Sequence, residues 1–327
     1  MEKFKVVRLY NENGRRLSRV EEASIDDLDA GDVVIRSQYA AVNYKDARAV
    51  TGAGNVVKRF PCIPGIEVGG TVLSSTSPKF REGDAVTVQG GPEFGIRHDG
   101  AYSEVVRVPA EWVHPVGEGF DAFSAVALGL AAYTAAVAVD ELLAHGVTPD
   151  KGKVAVTGAT GGCASFVIDM LTGLGFDVVA VSGKPDAADY LRQLGAREIV
   201  GRDGIATGPK PLETQLWAGA IDAVGGKPLD DLLRTMKKRG VVCAYGNAAG
   251  ETFTTSIYPF ILRSVQLVGV NANHPVGSRG STWTRLAGDR RPKNLDRIIT
   301  RVPFADLAAY CERVIAGGIR GRGVVQF

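Results

Sequence analysis

From Lys153 to Ala164 the chain reads Lys-Val-Ala-Val-Thr-Gly-Ala-Thr-Gly-Gly-Cys-Ala, an apolar strand-like run, then glycines at 158, 161 and 162, then the opening of an apolar helix-like run. Glycines placed between a buried strand and a helix let backbone N–H groups approach a diphosphate, whose charge the helix N-terminus then favours. The flanking periodicity separates this motif from an ordinary tight turn, and Ala164 is small enough for close helix–sheet packing. The turn from Gly158 to Ala164 is therefore a candidate dinucleotide site. About 20 residues further on, a site for NAD would place a carboxylate on the ribose 2′-hydroxyl. Here stand Ser182, Gly183 and Lys184, a hydroxyl and a cation suited to a 2′-phosphate, which favours NADPH over NADH. Arg202, after the next strand-like run, would add a second positive charge.

A second polar cluster, Asn43, Tyr44 and Asp46, holds the candidate catalytic groups. Tyr44 is a candidate nicotinamide or substrate contact and a proton source, while Asp46 would serve equally as a helix cap or ion-pair partner. Glu67 is expected to accept backbone or arginine hydrogen bonds. His98 sits alone in a Gly-bounded loop, and Cys163, although a helix N-terminus would favour its thiolate, reads first as a small packing residue. Arg279, Arg285, Arg290, Arg291 and Lys293 make a basic section that is either a phosphate receiver or plain surface.

These residues must be positioned by elements of two kinds. Residues 1–122 are short, strand-like runs such as DVVIRSQYAAV, GGTVLSS and DAVTVQGG between Gly, Pro and Asp turns, a β-rich domain. Residues 123–270 change rhythm to strand, turn and helix, with KVAVTG, FDVVAVSG, AREIVG, GAIDAVGG, RGVVCAYG and VQLVGVN as six strands and helical crossovers in four of the five gaps. That is the pattern of an α/β, doubly wound parallel sheet. Residues 271–327, ending in the helix-like DLAAYCERVIAGG and the strand-like GRGVVQF, are expected to return to the first domain.

Composition narrows the function classes. Lys plus Arg number 38 against 36 Asp plus Glu, so no global field favours nucleic acid or an anionic membrane. The four cysteines, at 62, 163, 243 and 311, lack metal-ligand spacing, and a reducing cytoplasm suits them. MEKFKVVRLY alternates charged and apolar residues as a first strand does. Ala122–Val139 is long and apolar, but alanine supplies most of its apolarity and Asp121 and Asp140 bracket it, so a buried inter-domain helix is expected instead of a membrane span.

VNYKDA (42–47), FPCIPGIEVGG (60–70), VTGATGG (156–162), VVAVSGK (178–184), YLRQLGA (190–196), WAGAIDAVGGK (217–227), YPFILRSV (258–265) and IRGRGVV (319–325) resemble, in order, the medium-chain dehydrogenase/reductase superfamily, in particular its zinc-free acryloyl-CoA reductase branch. The zinc alcohol dehydrogenases of that superfamily carry GHExxG where this chain has Ile66, and neither Ile66 nor Asn43 is a zinc donor, so no metal site is expected. The resemblance implies a six-stranded Rossmann sheet with a β-rich GroES-like catalytic domain. It also implies NADPH contacted by Tyr44, by Thr160, Gly161, Gly162 and Cys163 in the turn, and by Ser182 to Lys184, Arg202, Asn247, Ile261 and Arg322. The implied reaction is reduction of a short 2-enoyl-CoA. Alternatives are a quinone or enone reductase, a biosynthetic reductase of longer acyl chains, and a non-catalytic NADPH-binding protein. Partners would be a small acyl-CoA or enone substrate, with a homodimer one allowed assembly. Leu130 and Asn247 depart from the family pattern, Leu130 replacing a hydroxyl, and both fall where the substrate wall is expected.

Overall fold

The computed structural model describes residues 3–206, 208–272 and 276–327, and describes no side chain for 276–279. The chain divides into two compact units, Met1–Leu130 with Ile299–Phe327, and Ala131–Ile298.

Unit 1 begins with an antiparallel pair, β1 (Phe4–Glu12) and β2 (Arg15–Ala23). Its main sheet is built on β3 (Val33–Val42), whose neighbours are β4 (Glu67–Ser75), β6 (Val105–Val108) and, from the other end of the chain, β15 (Arg322–Gln326). β5 (Ala85–Gln89) and β7 (Val113–Pro115) extend one side and β14 (Ile299–Pro303) the other. The strand-rich reading of the first 122 residues and the return of the C-terminal strand agree with this sheet. The core is Val6, Ile35, Val68, Val86, Val88, Val106, Tyr102 and Val325, alternate positions that face inward in register. Two short helices, α1 (Tyr44–Val50) and α9 (Leu307–Ile315), pack together against it.

The long apolar stretch is α2 (Ala122–Ala144), 72% buried over its most apolar window, as expected of a core helix. It is broken at Gly129, whose φ of 42° and ψ of −148° are not helical. Its first half crosses β4 so closely that a Cβ on Gly69 would lie 2.6 Å from the Val126 side chain, which explains the bare glycine there.

Unit 2 is an all-parallel, six-stranded sheet. It comprises β8 (Val154–Val156), β9 (Val178–Val181), β10 (Glu198–Val200), β11 (Trp217–Asp222), β12 (Met236–Ala244) and β13 (Gln266–Gly269), in the order β10-β9-β8-β11-β12-β13. All six expected strands are present. Helices α3 (Gly162–Gly173), α4 (Ala188–Gln193), α5 (Gly226–Thr235) and α6 (Tyr258–Arg263) fill four of the gaps, and residues between β10 and β11 form no α-helix among those described. Strand order reverses between β8 and β11, the switch point at which such sheets bind ligands beyond the strands' carboxyl ends.

The unit boundaries differ from the 122/123 and 270/271 divisions read from sequence. The first falls inside α2, at the residue after the Gly129 kink, and the second at Ile298. Residues 271–298, which carry α7 (Val276–Ala287) and α8 (Leu295–Ile298), stay with unit 2 because polar side chains tie them there. Arg285 and Arg290 pair with Asp140 at 2.7 and 3.3 Å, and the Asn294 side chain donates to Asp169 at 2.8 Å. Two of the five basic residues suspected as a phosphate receiver are thus occupied internally. Arg279 lies outside the described side chains.

Candidate coenzyme site and active site

In unit 1, strands far apart in sequence bring four predicted or suspected residues into one buried cluster. Asn43, at the end of β3, precedes α1, and Asp46 in the first turn of that helix accepts the Asn43 backbone N–H at 2.9 Å. The Asn43 side-chain amide donates to Asp46 Oδ2 at 2.9 Å and to Glu67 Oε2 at 2.7 Å. Its carbonyl oxygen accepts from Arg322 at 2.7 Å. Arg322 also donates to Glu67 Oε2 at 2.6 Å, and the second Glu67 oxygen accepts the Leu130 backbone N–H at 2.6 Å, one residue beyond the kink. A Cβ on Gly129 would lie 2.1 Å from that Glu67 oxygen, so only glycine permits the turn that presents the Leu130 N–H.

Glu67, Asp46 and Arg322 are 0%, 1% and 2% exposed. Burial pushes the Asp46 carboxyl up to about 6; the hydrogen bonds from Asn43 hold it down, the neighbouring Glu67 carboxylate adds to the rise and Lys45 opposes it. Glu67 keeps the expected role of accepting a backbone and an arginine donor. Asp46, read as a catalytic candidate, is buried and accepts from Asn43, and Arg322, read as a coenzyme contact, donates from its terminal nitrogens to Asn43 and Glu67, while its buried Nε meets no partner among the described residues. Asn43 is likewise spent within the cluster, whereas Tyr44 next to it is 43% exposed and able to meet a ligand. His98, which looked isolated, has both ring nitrogens against carbonyl oxygens, those of Asp99 at 2.9 Å and Ala30 at 3.1 Å, and so belongs to loop structure.

In unit 2 the glycine motif forms a turn beyond β8. Gly158 adopts φ +57°, and a Cβ there would lie 2.8 Å from Val224, so the backbone has glycine's freedom and needs it. Gly161 precedes the first turn of α3, and Gly162 and Cys163 begin the helix. Ser165 Oγ donates to the Gly161 carbonyl at 2.8 Å and accepts from Tyr190 at 2.8 Å, which fixes the helix start. A buried brace that sequence reasoning missed holds the other side. Thr157 Oγ1 donates to Asp222 at 2.6 Å and accepts the Ala223 N–H at 3.0 Å, while the second Asp222 oxygen accepts the Gly225 N–H at 2.8 Å. Burial raises the Asp222 carboxyl above its ordinary value despite these donors. A carboxylate closing the otherwise apolar run of β11 was the available signal.

Beyond β9, Ser182 Oγ accepts the Lys184 N–H at 3.1 Å. The Arg202 guanidinium lies over the same loop, since a Cβ on Gly183 would be 2.9 Å from Arg202 Nε. Ser182, Gly183, Lys184 and Arg202 are thus assembled at one place on the carboxyl edge of the sheet, with a hydroxyl and cations and no carboxylate in the 182–184 loop. The loop after β12 lies against the turn after β11, placing the Asn247 Cα 3.4 Å from a Cβ on Gly225, with the Asn247 side chain exposed. Ile261, on α6, is 63% exposed. Among the described residues no group of three or more His, Cys, Asp and Glu side chains is arranged to hold a metal ion.

Residues 29–118 match the family of the alcohol dehydrogenase GroES-like domain and residues 162–286 the family described as zinc-binding dehydrogenase. The acrylyl-CoA reductase AcuI of Ruegeria pomeroyi is 39% identical over 323 residues, covering 98% of each chain. YhfP of Bacillus subtilis, named a putative quinone oxidoreductase, is 39% identical over 94% of each chain; its crystal structure with NAD bound has a TM-score of 0.93 over 100% of both chains. The structure of Escherichia coli YhdH with bound NADPH, 38% identical, has a TM-score of 0.93 over 98% of this chain and 99% of that one. With both domain families matched in order and full-length likeness at this identity, the chain belongs to the medium-chain dehydrogenase/reductase superfamily, alongside the acryloyl-CoA reductases and their quinone-oxidoreductase-like relatives.

Proposed function

We propose that this protein is an NADPH-dependent reductase of the carbon–carbon double bond of a short 2-enoyl thioester of the acryloyl-CoA type. The observation that carries the coenzyme assignment is the assembly of Ser182, Lys184 and Arg202 beside a glycine turn at a helix N-terminus. The likeness to the Ruegeria acrylyl-CoA reductase supports the substrate class. The residues fit a dinucleotide: the 158–163 backbone and the start of α3 would hold the diphosphate, and Ser182, Lys184 and Arg202 the 2′-phosphate.

A reduced nicotinamide coenzyme held there would supply the hydride for the β-carbon, and the chain would have to provide the matching proton at the α-carbon for the saturated acyl thioester to form. The chain's part is to orient and to protonate. Tyr44, exposed at the start of α1, is the candidate proton donor. The Thr157–Asp222 brace fixes the turn that receives the diphosphate, and alignment of the two reactants supplies much of the acceleration. None of the four cysteines forms a disulfide, in keeping with a reducing compartment.

Steady-state NADPH oxidation with acryloyl-CoA, crotonyl-CoA, a simple enone and a quinone tests the assignment. Higher kcat/KM for the thioesters supports it. Preference for the quinone would move the protein to the second reading, which the name of YhfP favours. No turnover with any of them would leave the non-catalytic reading.

A further inference from the structure

The buried cluster of unit 1 has an unequal charge count. Glu67 is answered by Arg322 at 2.6 Å, but among the described residues the Asp46 carboxyl has no ion-pair partner. The two carboxyls are joined through a single amide: one Asn43 nitrogen donates to both, and the same side chain's oxygen is held by Arg322. Whatever changes the acceptor strength of Asp46 changes the pull on the Asn43 amide, and hence its bond to Glu67. Glu67 in turn holds the Leu130 N–H beyond the Gly129 kink.

We propose that Asp46 is a positioning residue whose gain or loss of a proton is transmitted through the Asn43 amide to Glu67, and from Glu67 to the backbone of Leu130. The cluster acts as a brace with one exchangeable proton. It concerns the geometry of unit 1 alone and rests on no substrate assignment.

The surroundings leave Asp46 as the group that titrates. On its own helix, Lys45 opposes protonation; on β4, Glu67 favours it. Tyr102, whose hydroxyl donates to the Ala41 carbonyl at 3.0 Å, and Cys311 on α9 both sense Asp46, and burial pushes both upward, Cys311 to about 12, so both stay neutral while Asp46 changes state. Arg322 on β15 faces the cluster from the other side, bonded to Asn43 and Glu67. The carboxyl itself sits at about 6, inside the range where an enzyme works.

The test is a pH titration of the whole protein by NMR, with carbon-labelled aspartate side chains and nitrogen-labelled backbone amides. The Asp46 carboxyl and the Leu130 amide are expected to titrate together with a midpoint near 6. In Asp46→Asn the Leu130 amide should lose that titration. In Glu67→Gln, Asp46 should still titrate while Leu130 no longer follows. A Leu130 amide that stays flat in the wild-type protein while Asp46 titrates, or one that titrates unchanged in Asp46→Asn, overturns the proposal. The wild-type titration needs no substitution, so the question is answered even if a variant fails to fold, and it is read without any turnover.

Discussion

At the scale of single residues, function is divided between exposed groups that can touch a ligand and sealed groups that hold them. Tyr44 and Arg202 are of the first kind, and Asp46, Glu67 and Arg322 of the second. Replacing either cation proposed for the 2′-phosphate, in Lys184→Glu or Arg202→Glu, should raise the KM for NADPH by about tenfold to hundredfold, since a charge-assisted hydrogen bond is worth roughly 1.5 to 3 kcal/mol. The KM for NADH should change far less, and equal weakening of both coenzymes would remove the 2′-phosphate assignment. Tyr44→Phe tests the proton donor: as a general acid it should cost roughly 10² to 10⁴ in kcat, read under saturating coenzyme. Asp46 makes a stability prediction with a definite sign. Its folded value of about 6 lies above its ordinary 3.8, so the native state binds the proton more tightly. Its contribution to stability is complete below the ordinary value and is lost as pH rises through about 6, a difference of roughly 3 kcal/mol. Chemical denaturation of Asp46→Asn at successive pH values should therefore show a flatter profile over that window than the wild-type protein.

At the scale of elements, the pairing of Glu67 with Arg322 joins β4 to β15 and pins the broken α2. Arg322→Leu should destabilise the fold by about 3 to 5 kcal/mol, because it leaves a buried carboxylate without its partner. Arg322→Leu with Glu67→Leu should recover part of that loss, and a double variant no more stable than the single one would show that the charge pair is not the source. Gly129→Ala should be nearly as costly as a strained site of this kind allows, about 1 to 3 kcal/mol, since alanine would meet both an unfavourable φ and the Glu67 oxygen. Thermal unfolding of the three variants reads both effects.

At the scale of the whole molecule, β13 ends the parallel sheet with one side unpaired by any described strand, and Ile257, Tyr258, Ile261, Leu262 and Leu267 on and beside it are exposed. An open strand edge is a template on which the β13 of a second copy could pair. A dimer is the expected species in sedimentation, and Ile261→Glu with Leu262→Glu should shift it to monomer. A wild-type protein that sediments as a monomer at working concentration would instead leave Ile261 to the coenzyme role that the resemblance implies.

What local sequence determined is what local physics encodes. Continuous Val, Ile and Ala runs specified strands covered on both faces, and Gly158 supplied the positive φ that the turn after the first of them adopts. None of these depends on a distant residue. Only the tertiary structure decided that Asn43, Asp46, Glu67 and Arg322 form one cluster, because the Glu67–Arg322 contact spans 255 residues and no spacing rule reaches that far. It also decided that residues 271–298 belong with the parallel sheet, since that assignment rests on Asp140 and Asp169 meeting Arg285, Arg290 and Asn294. Burial made the largest difference. Asp46 read from sequence is one polar residue among several, and enclosure among apolar neighbours turns it into a group that changes charge near neutral pH.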